Sequence, residues 1–138
     1  MLNLLGGRNV MKVLIVDDSQ ESRMLLGKIL TKAFNVQIIE VAQGKDALNK
    51  LSKEKPDVVF LDYEMPDMNG KEILQSIRSM PDFLNLPVVM VTSHSEKDLV
   101  RELLSYKVSA YLLKPLSEDY IVKHISILFP YDKIETKD

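Results

Sequence analysis

The stretch Val58–Asp62, with the sequence Val-Val-Phe-Leu-Asp, decides the fold because its four apolar residues run directly into one carboxylate. Pro56 precedes the run, and Pro66 and Gly70 follow it. A short apolar run between turn-forming residues is typical of a strand buried on both faces. Such strands occupy the centre of parallel sheets covered by helices. We therefore expect Asp62 at the carboxyl end of a central strand, the edge at which open α/β sheets bind ligands.

The composition indicates one globular domain. The chain has 138 residues, of which 46% are hydrophobic and 28% charged, with a formal net charge of −2 and no cysteine. That charge gives no general attraction to nucleic acid, and the missing cysteines exclude disulfides and thiolate metal sites. No apolar run approaches the length of a membrane span, and the first ten residues lack the pattern of a signal peptide. We expect a cytoplasmic protein that binds neither nucleic acid nor a membrane directly.

Apolar runs alternate along the chain with segments of helical periodicity. The predicted strands cover 12–16, 36–40, 57–61, 88–91 and 110–113. The predicted helices cover 20–32, 46–51, 70–79, 96–105 and a last segment between Ser117 and Pro130. The residues expected to face the core are Met24, Leu25, Leu26, Ile29 and Leu30 in the first helix and Leu99, Leu103 and Leu104 in the fourth. Gly44 is expected in the loop before the second helix, and Arg23 outside the apolar stripe of the first.

This alternation predicts an α/β fold with a doubly wound parallel sheet and right-handed crossovers. Five strands and five helices favour the flavodoxin-like strand order 2-1-3-4-5. The folded domain would span 11–129, with an N-terminal extension over 1–10 and a polar C-terminal tail over 130–138.

The predicted strand order gathers polar side chains at one edge of the sheet. Asp17 and Asp18 follow the first strand, Asp62 the third, Thr92 the fourth and Lys114 the fifth. Neighbouring carboxylates raise one another's pKa unless a positive charge neutralises them. A divalent cation with oxygen ligands, such as Mg²⁺, and the Lys114 ammonium are the two available partners. The pattern indicates a site for phosphate oxygens around a nucleophilic carboxylate, with the Thr92 hydroxyl as a further donor.

Each of these residues also has an ordinary structural explanation. Asp17 and Asp18 could belong to a helix cap, Thr92 to a turn and Lys114 to an exposed corner. Asp62 alone could be a turn former. The functional interpretation depends on their common position at the ends of different strands.

The motifs resemble those of the receiver domain of two-component response regulators. The resemblance covers Lys12 to Leu128, and its motifs are Asp17-Asp18-Ser19, Leu61-Asp62-Tyr63-Glu64-Met65-Pro66-Asp67-Met68-Asn69-Gly70, Val91-Thr92-Ser93 and Lys114-Pro115. It implies a signalling switch that catalyses only its own phosphorylation and dephosphorylation.

The resemblance implies specific roles for the gathered residues. Asp62 would accept the phosphoryl group from a partner's histidine. Asp18, Asp62 and the backbone carbonyl of Glu64 would ligate Mg²⁺, with Asp17 acting mostly through a bound water. Lys114 would pair with phosphoryl oxygens, and the peptide bond that follows it would be cis.

The resemblance also implies a switch and a control of its lifetime. Phosphorylation would recruit the Thr92 hydroxyl and let Tyr111 turn inward, a population shift between two packings. Glu64 and His94 occupy positions that border the path of the attacking water in the family. We hypothesise that these two side chains set the dephosphorylation rate.

The implied partners are a sensor histidine kinase or histidine phosphotransfer protein and a downstream effector protein, with a homodimer on phosphorylation as a further possibility. The charged surface suggested for docking comprises Glu96, Lys97, Asp98, Arg101, Glu102, Tyr106, Lys107, Lys123 and His124. An ordinary solvated surface explains the same residues, and composition does not separate the two readings.

The sequence leaves other functional interpretations open. The chain could be a stand-alone regulator or a receiver excised from a longer regulator or hybrid kinase. A Mg²⁺-dependent phosphatase with an aspartate nucleophile, as in the haloacid dehalogenase group, fits less well because Asp17-Asp18-Ser19-Gln20 lacks that group's second aspartate two residues on. A nucleotide- or flavin-binding module is weaker still, since no glycine-rich loop follows the first strand.

Overall fold

A computed structural model of the chain describes residues 10–130, in which five strands and five helices alternate. The strands are β1 (Met11–Val16), β2 (Val36–Val41), β3 (Val58–Asp62), β4 (Val88–Thr92) and β5 (Ala110–Leu113). The helices are α1 (Gln20–Ala33), α2 (Gly44–Glu54), α3 (Gly70–Ser79), α4 (Lys97–Leu104) and α5 (Glu118–Leu128), with a short 3-10 helix over Pro81–Phe83. The predicted extension over 1–10 and tail over 130–138 lie almost wholly outside the described residues.

The sheet has the predicted topology. All strand pairs are parallel, and the order is β2-β1-β3-β4-β5. The register places Asp62 beside Val91, and Thr92 beside Leu113. The carboxyl ends of β3, β4 and β5 therefore lie next to one another, which confirms the doubly wound, flavodoxin-like fold class.

The core lies in two layers, one on each face of the sheet. Alternate residues of β1 and β3 enter each layer because successive side chains of a strand point to opposite faces. On one face α1 and α5 contribute Leu26, Ile29, Ile121 and Ile125. On the other, α2, α3 and α4 contribute Leu51, Ile73, Ile77 and Leu103. All five residues of β3 are buried, as the opening apolar run predicted.

Three of the helices begin at a side-chain cap from their own sequence, whereas α2 and α4 do not. Ser19, Asn69 and Ser117 cap α1, α3 and α5 with their side chains. Gln43 at the start of α2 makes no such bond. Instead Asp67, in the loop after β3, accepts hydrogen bonds from the backbone N–H groups of Gly44 (2.9 Å) and Lys45 (3.0 Å). Gly44 is thus the first residue of α2, and its prediction as a loop residue is wrong because the cap comes from a distant segment.

The predicted core faces of α1 and α4 include residues that the structure shows to be exposed. Met24 and Leu25 are exposed, Met24 by 61%, and so is Leu104. The buried face of α1 is narrower than its apolar composition suggests, because its buried residues are Leu26, Ile29 and Leu30. α4 has one fully buried residue, Leu103. Within residues 10–130, no helix is both long enough and apolar enough to cross a bilayer.

Candidate functional site

Three carboxylates meet at the carboxyl edge of the sheet. One oxygen from each of Asp17, Asp18 and Asp62 lies within 4.8 Å of the other two. Asp17 and Asp62 are 5% and 6% exposed, whereas Asp18 is open to solvent. The side chains predicted from three separate positions are therefore brought together in one acidic cluster.

Lys114 joins this cluster from the end of β5. Its Nζ lies 3.2 Å from Oδ2 of Asp17 and 3.5 Å from Oδ2 of Asp62. Its backbone N–H donates to the carbonyl of Thr92 (2.8 Å), which ties the end of β5 to β4. The peptide bond between Lys114 and Pro115 is cis, as predicted. Burial opposes the charged form of Lys114, but the two carboxylates outweigh it and raise its pKa.

The electrostatics of Asp62 show that one lysine does not neutralise the cluster. Burial and the neighbouring Asp17 charge raise the pKa of Asp62 from its ordinary value of 3.8 to about 6. Lys114 and a backbone hydrogen bond from Glu64 act in the opposite direction but are the smaller effects. The ionised cluster therefore favours the binding of a further cation.

The donor set fits Mg²⁺. Carboxylate oxygens are the ligands that a hard divalent cation prefers, and Mg²⁺ is commonly held by few of them together with waters. The surrounding cleft is also lined by Ser19, Glu64, Asn69 and Ser93. Asp17, Asp18 and Asp62 together with the Glu64 carbonyl are thus available as ligands, which remains a prediction.

Thr92 lies beside the cleft rather than in its lining. Its side chain is fully buried at the end of β4, and its Oγ1 accepts the backbone N–H of His94 at 3.1 Å. The next residue, Ser93, lines the cleft. This hydroxyl is predicted to donate a hydrogen bond to a phosphoryl group. In the present conformation its oxygen accepts a hydrogen bond from the backbone.

His94 connects two loops above the site. Its Nε2 contacts the carboxylate of Glu64 from the loop after β3, and its Nδ1 lies 3.2 Å from Oε1 of Glu96. The hydrogen bond to Glu64, followed by that to Glu96, raises the pKa of His94. The hydroxyl of half-buried Tyr111 donates to the carbonyl of His94 at 2.8 Å. Two residues predicted to tune the site thus contact each other, and the predicted switch residue holds the same loop.

Sequence reasoning missed the contacts of Arg23, which it placed outside the apolar stripe of α1. Its Nη1 donates to the backbone carbonyl of Asp17 at 2.7 Å, and its Nε donates to Glu40 at 2.9 Å. No local pattern could reveal this bridge, because Glu40 comes from β2 and meets α1 only in the folded sheet.

Comparison with known proteins identifies the family. A profile described as "Response regulator receiver domain" matches residues 13–126. The chain belongs to the response regulator receiver family. This places it among the domains of two-component signalling and confirms the resemblance found in the motifs.

Individual relatives agree with this assignment. Sporulation initiation phosphotransferase F of Bacillus subtilis is 34% identical over 110 residues, covering 80% of this chain and 86% of that protein. The protein-glutamate methylesterase/protein-glutamine glutaminase of the same organism is 43% identical over 89 residues. That match covers 64% of this chain, which spans only about a quarter (24%) of the methylesterase's length.

A solved structure shows the same receiver fold. The chemotaxis protein CheY4 of Vibrio cholerae superposes with a TM-score of 0.81 at 27% identity. The superposition covers 88% of this chain and 100% of the CheY4 chain. The five-stranded order is therefore that of a CheY-like receiver domain.

Proposed function

We propose that this receiver accepts a phosphoryl group on Asp62 in a Mg²⁺-dependent reaction and thereby changes the surface that it presents to a partner. The observation that carries the proposal is the position of Asp62, buried at the end of the central strand between two further carboxylates and the Lys114 ammonium. The proposed unit is the domain over 11–129, working in the cytoplasm.

The proposed reaction is nucleophilic. An oxygen of the Asp62 carboxylate attacks phosphorus in line, while the bond from phosphorus to the donor's histidine nitrogen breaks and the imidazole leaves with that electron pair. Bound Mg²⁺, held by Asp18, Asp62 and the Glu64 carbonyl with Asp17 nearby, would supply positive charge to the phosphoryl oxygens.

Lys114 and Asp17 complete the site from the protein side. Lys114 would pair with a phosphoryl oxygen on Asp62, a role supported by the distance of 3.5 Å between its ammonium and that carboxylate. Asp17 orients the ammonium through the contact at 3.2 Å. Positioning and charge neutralisation therefore account for the reaction without a separate proton carrier.

The proposed switch involves Thr92 and Tyr111. A phosphoryl oxygen on Asp62 would accept the proton of the Thr92 hydroxyl, whose oxygen now accepts the backbone N–H of His94. The loop after β4 is also held by Tyr111 through the carbonyl of His94. A change at Thr92 would thus reach Tyr111 through a single shared residue.

Glu64 and His94 are proposed to set the lifetime of the acyl phosphate. Their contact joins two loops near Asp62, where a carboxylate and an imidazole can orient or exclude water. Exchange of both residues for alanine should change the dephosphorylation rate of the phosphorylated protein, measured after removal of the donor. An unchanged rate would contradict this role.

The proposed partners are a sensor histidine kinase or a histidine phosphotransfer protein as donor, and an effector protein as receiver of the signal. The similarity to a protein named a sporulation initiation phosphotransferase supports a place in a phosphorelay. Self-association on phosphorylation is tested by light scattering of the phosphorylated and unphosphorylated protein.

The experiment that tests the function is intact-protein mass spectrometry after incubation with acetyl phosphate. We expect the mass of one phosphoryl group to appear with Mg²⁺, to be absent with EDTA, and to be absent in Asp62→Asn. Asp98→Asn is the matched control, because that side chain is fully exposed (100%) on α4. Steady turnover of p-nitrophenyl phosphate without a stable adduct would instead favour the phosphatase reading.

A further inference from the structure

Arg23 links the acidic site to the edge of the sheet. It lies in the first turn of α1, and only 15% of its side chain is exposed. Its guanidinium binds the carbonyl of Asp17, just after β1, and the carboxylate of Glu40 in β2. A planar guanidinium can serve two acceptors at once in a fixed geometry, which a lysine ammonium does not reproduce.

The contacts of Asp17 explain why this bridge matters for the site. The backbone N–H of Asp17 donates to the carbonyl of Val41 in β2 (3.2 Å), and its Oδ1 accepts the backbone N–H of Ser19 (2.9 Å). Its Oδ2 contacts Lys114. With Arg23 on the carbonyl, both backbone polar groups and both carboxylate oxygens of Asp17 have partners, so its carboxylate has one defined orientation.

We propose that Arg23 is a positioning residue for the acidic site, which holds the turn between β1 and α1 so that Asp17 and Asp18 direct their carboxylates towards Asp62. This inference rests on the proposed function, since it concerns the residues expected to bind Mg²⁺. Arg23 acts through the backbone of Asp17 and through Glu40, and it touches neither phosphoryl group nor metal.

The proposal predicts that loss of Arg23 weakens the binding of Mg²⁺, whereas simple electrostatics predicts tighter binding. Arg23 is a cation near an anionic site, so the loss of its charge alone would strengthen the binding of Mg²⁺. The loss of a group that orients metal ligands weakens binding, typically about 10- to 100-fold for partners of metal ligands. We expect the weakening to dominate, at about tenfold.

The test is a calorimetric titration of MgCl₂ into the metal-free full chain at fixed ionic strength. Arg23→Met removes the guanidinium and keeps an apolar stem. Arg23→Lys keeps the charge but cannot bridge both acceptors. Lys28→Met is the matched control, because it removes one exposed cation from the same helix. Circular dichroism of each variant in EDTA establishes that it is folded before the titration.

We expect Arg23→Met and Arg23→Lys both to bind Mg²⁺ about tenfold more weakly, and Lys28→Met to bind as the wild type or slightly more tightly. Phosphorylation of both Arg23 variants by acetyl phosphate should recover at saturating Mg²⁺. If Arg23→Met does not fold, Arg23→Lys decides the question.

Wild-type affinity in Arg23→Lys, or tighter binding in Arg23→Met, would overturn the inference and leave the proposed function intact. If the wild type neither binds Mg²⁺ nor gains a phosphoryl group, the proposed function fails and this inference fails with it. The two failures are therefore distinguishable within one set of measurements.

Discussion

Burial and the charge of Asp17 disfavour the ionised form of Asp62, so its replacement by asparagine should raise the free energy of unfolding of the metal-free protein. The side chain is 6% exposed and shares its site with the charge of Asp17. Asparagine has nearly the same shape and carries no charge. Lys114 keeps Asp17 as a partner at 3.2 Å in the variant, so the ammonium is not left alone.

The magnitude follows from the pKa of Asp62, which burial and Asp17 raise from 3.8 to about 6. A shift of that size corresponds to about 3 kcal/mol if all of it opposes folding at neutral pH. The cleft is open to solvent, which screens part of the repulsion, so we expect a gain of about 1–2 kcal/mol. In a domain of this size the midpoint of thermal unfolding should rise by about 5 °C.

The gain has a defined pH dependence. Below pH 3.8 the carboxyl group is protonated in both the folded and the unfolded chain, so the variant has no advantage. Between pH 3.8 and about 6 the unfolded chain releases the proton while the folded chain retains it. The wild type therefore loses stability relative to Asp62→Asn as the pH rises through this window. The difference should be constant above it.

Urea denaturation of both proteins in EDTA from pH 3.5 to pH 8 measures this difference. Asp98→Asn, a change of equal charge at a fully exposed position in the first turn of α4, should not raise the midpoint and should lower it only slightly. Added Mg²⁺ should stabilise the wild type more than Asp62→Asn, because the cation binds the folded carboxylate cluster. A less stable Asp62→Asn protein at pH 8 in EDTA would refute the reasoning.

Further predictions concern other positions. Gly27→Ala should stabilise the protein by up to about 1 kcal/mol in urea denaturation, because its added Cβ meets nothing closer than 4.0 Å within a helix. Gly70→Ala should destabilise by about 1–3 kcal/mol in the same assay, since its Cβ would lie 2.7 Å from a backbone atom. Asp67→Ala should lower the melting temperature at neutral pH through the lost cap of α2. Hydrogen bonds from backbone N–H groups hold the pKa of Asp67 below 3.8, so calorimetry should show this difference shrinking as the pH falls below that value. An NMR titration should place the pKa of His94 above 6.5, and Glu64→Gln should lower it; an unchanged value would contradict the contact.

The fold could be predicted because the residue pattern of each segment and the alternation of segments along the chain indicate the same structure. The apolar runs of β3 and β4 are continuous, since both strands are buried on both faces. The meeting of the polar side chains at one edge of the sheet could be predicted for a related reason. Each lies at the end of a strand or just after it, and a parallel sheet brings those ends to one edge.

Contacts between distant segments could not be predicted. The cap of α2 is supplied by Asp67, and the bridge from Arg23 to Glu40 joins a helix to an edge strand. Neither leaves a periodic or spacing pattern in the sequence. The contact of His94 with Glu96 joins residues that are close in sequence. Its second contact, with Glu64, depends on how two loops meet in the folded protein.

The central claim is that the side chain of Asp62 carries the phosphoryl group. Borohydride reduces an acyl phosphate on aspartate to homoserine, so reduction after incubation with acetyl phosphate and Mg²⁺ marks the site permanently. Peptide mass spectrometry should then find homoserine at position 62 and aspartate retained at positions 17 and 18. Homoserine at another aspartate, or a phosphoryl group that survives reduction on a hydroxyl side chain, would contradict the account.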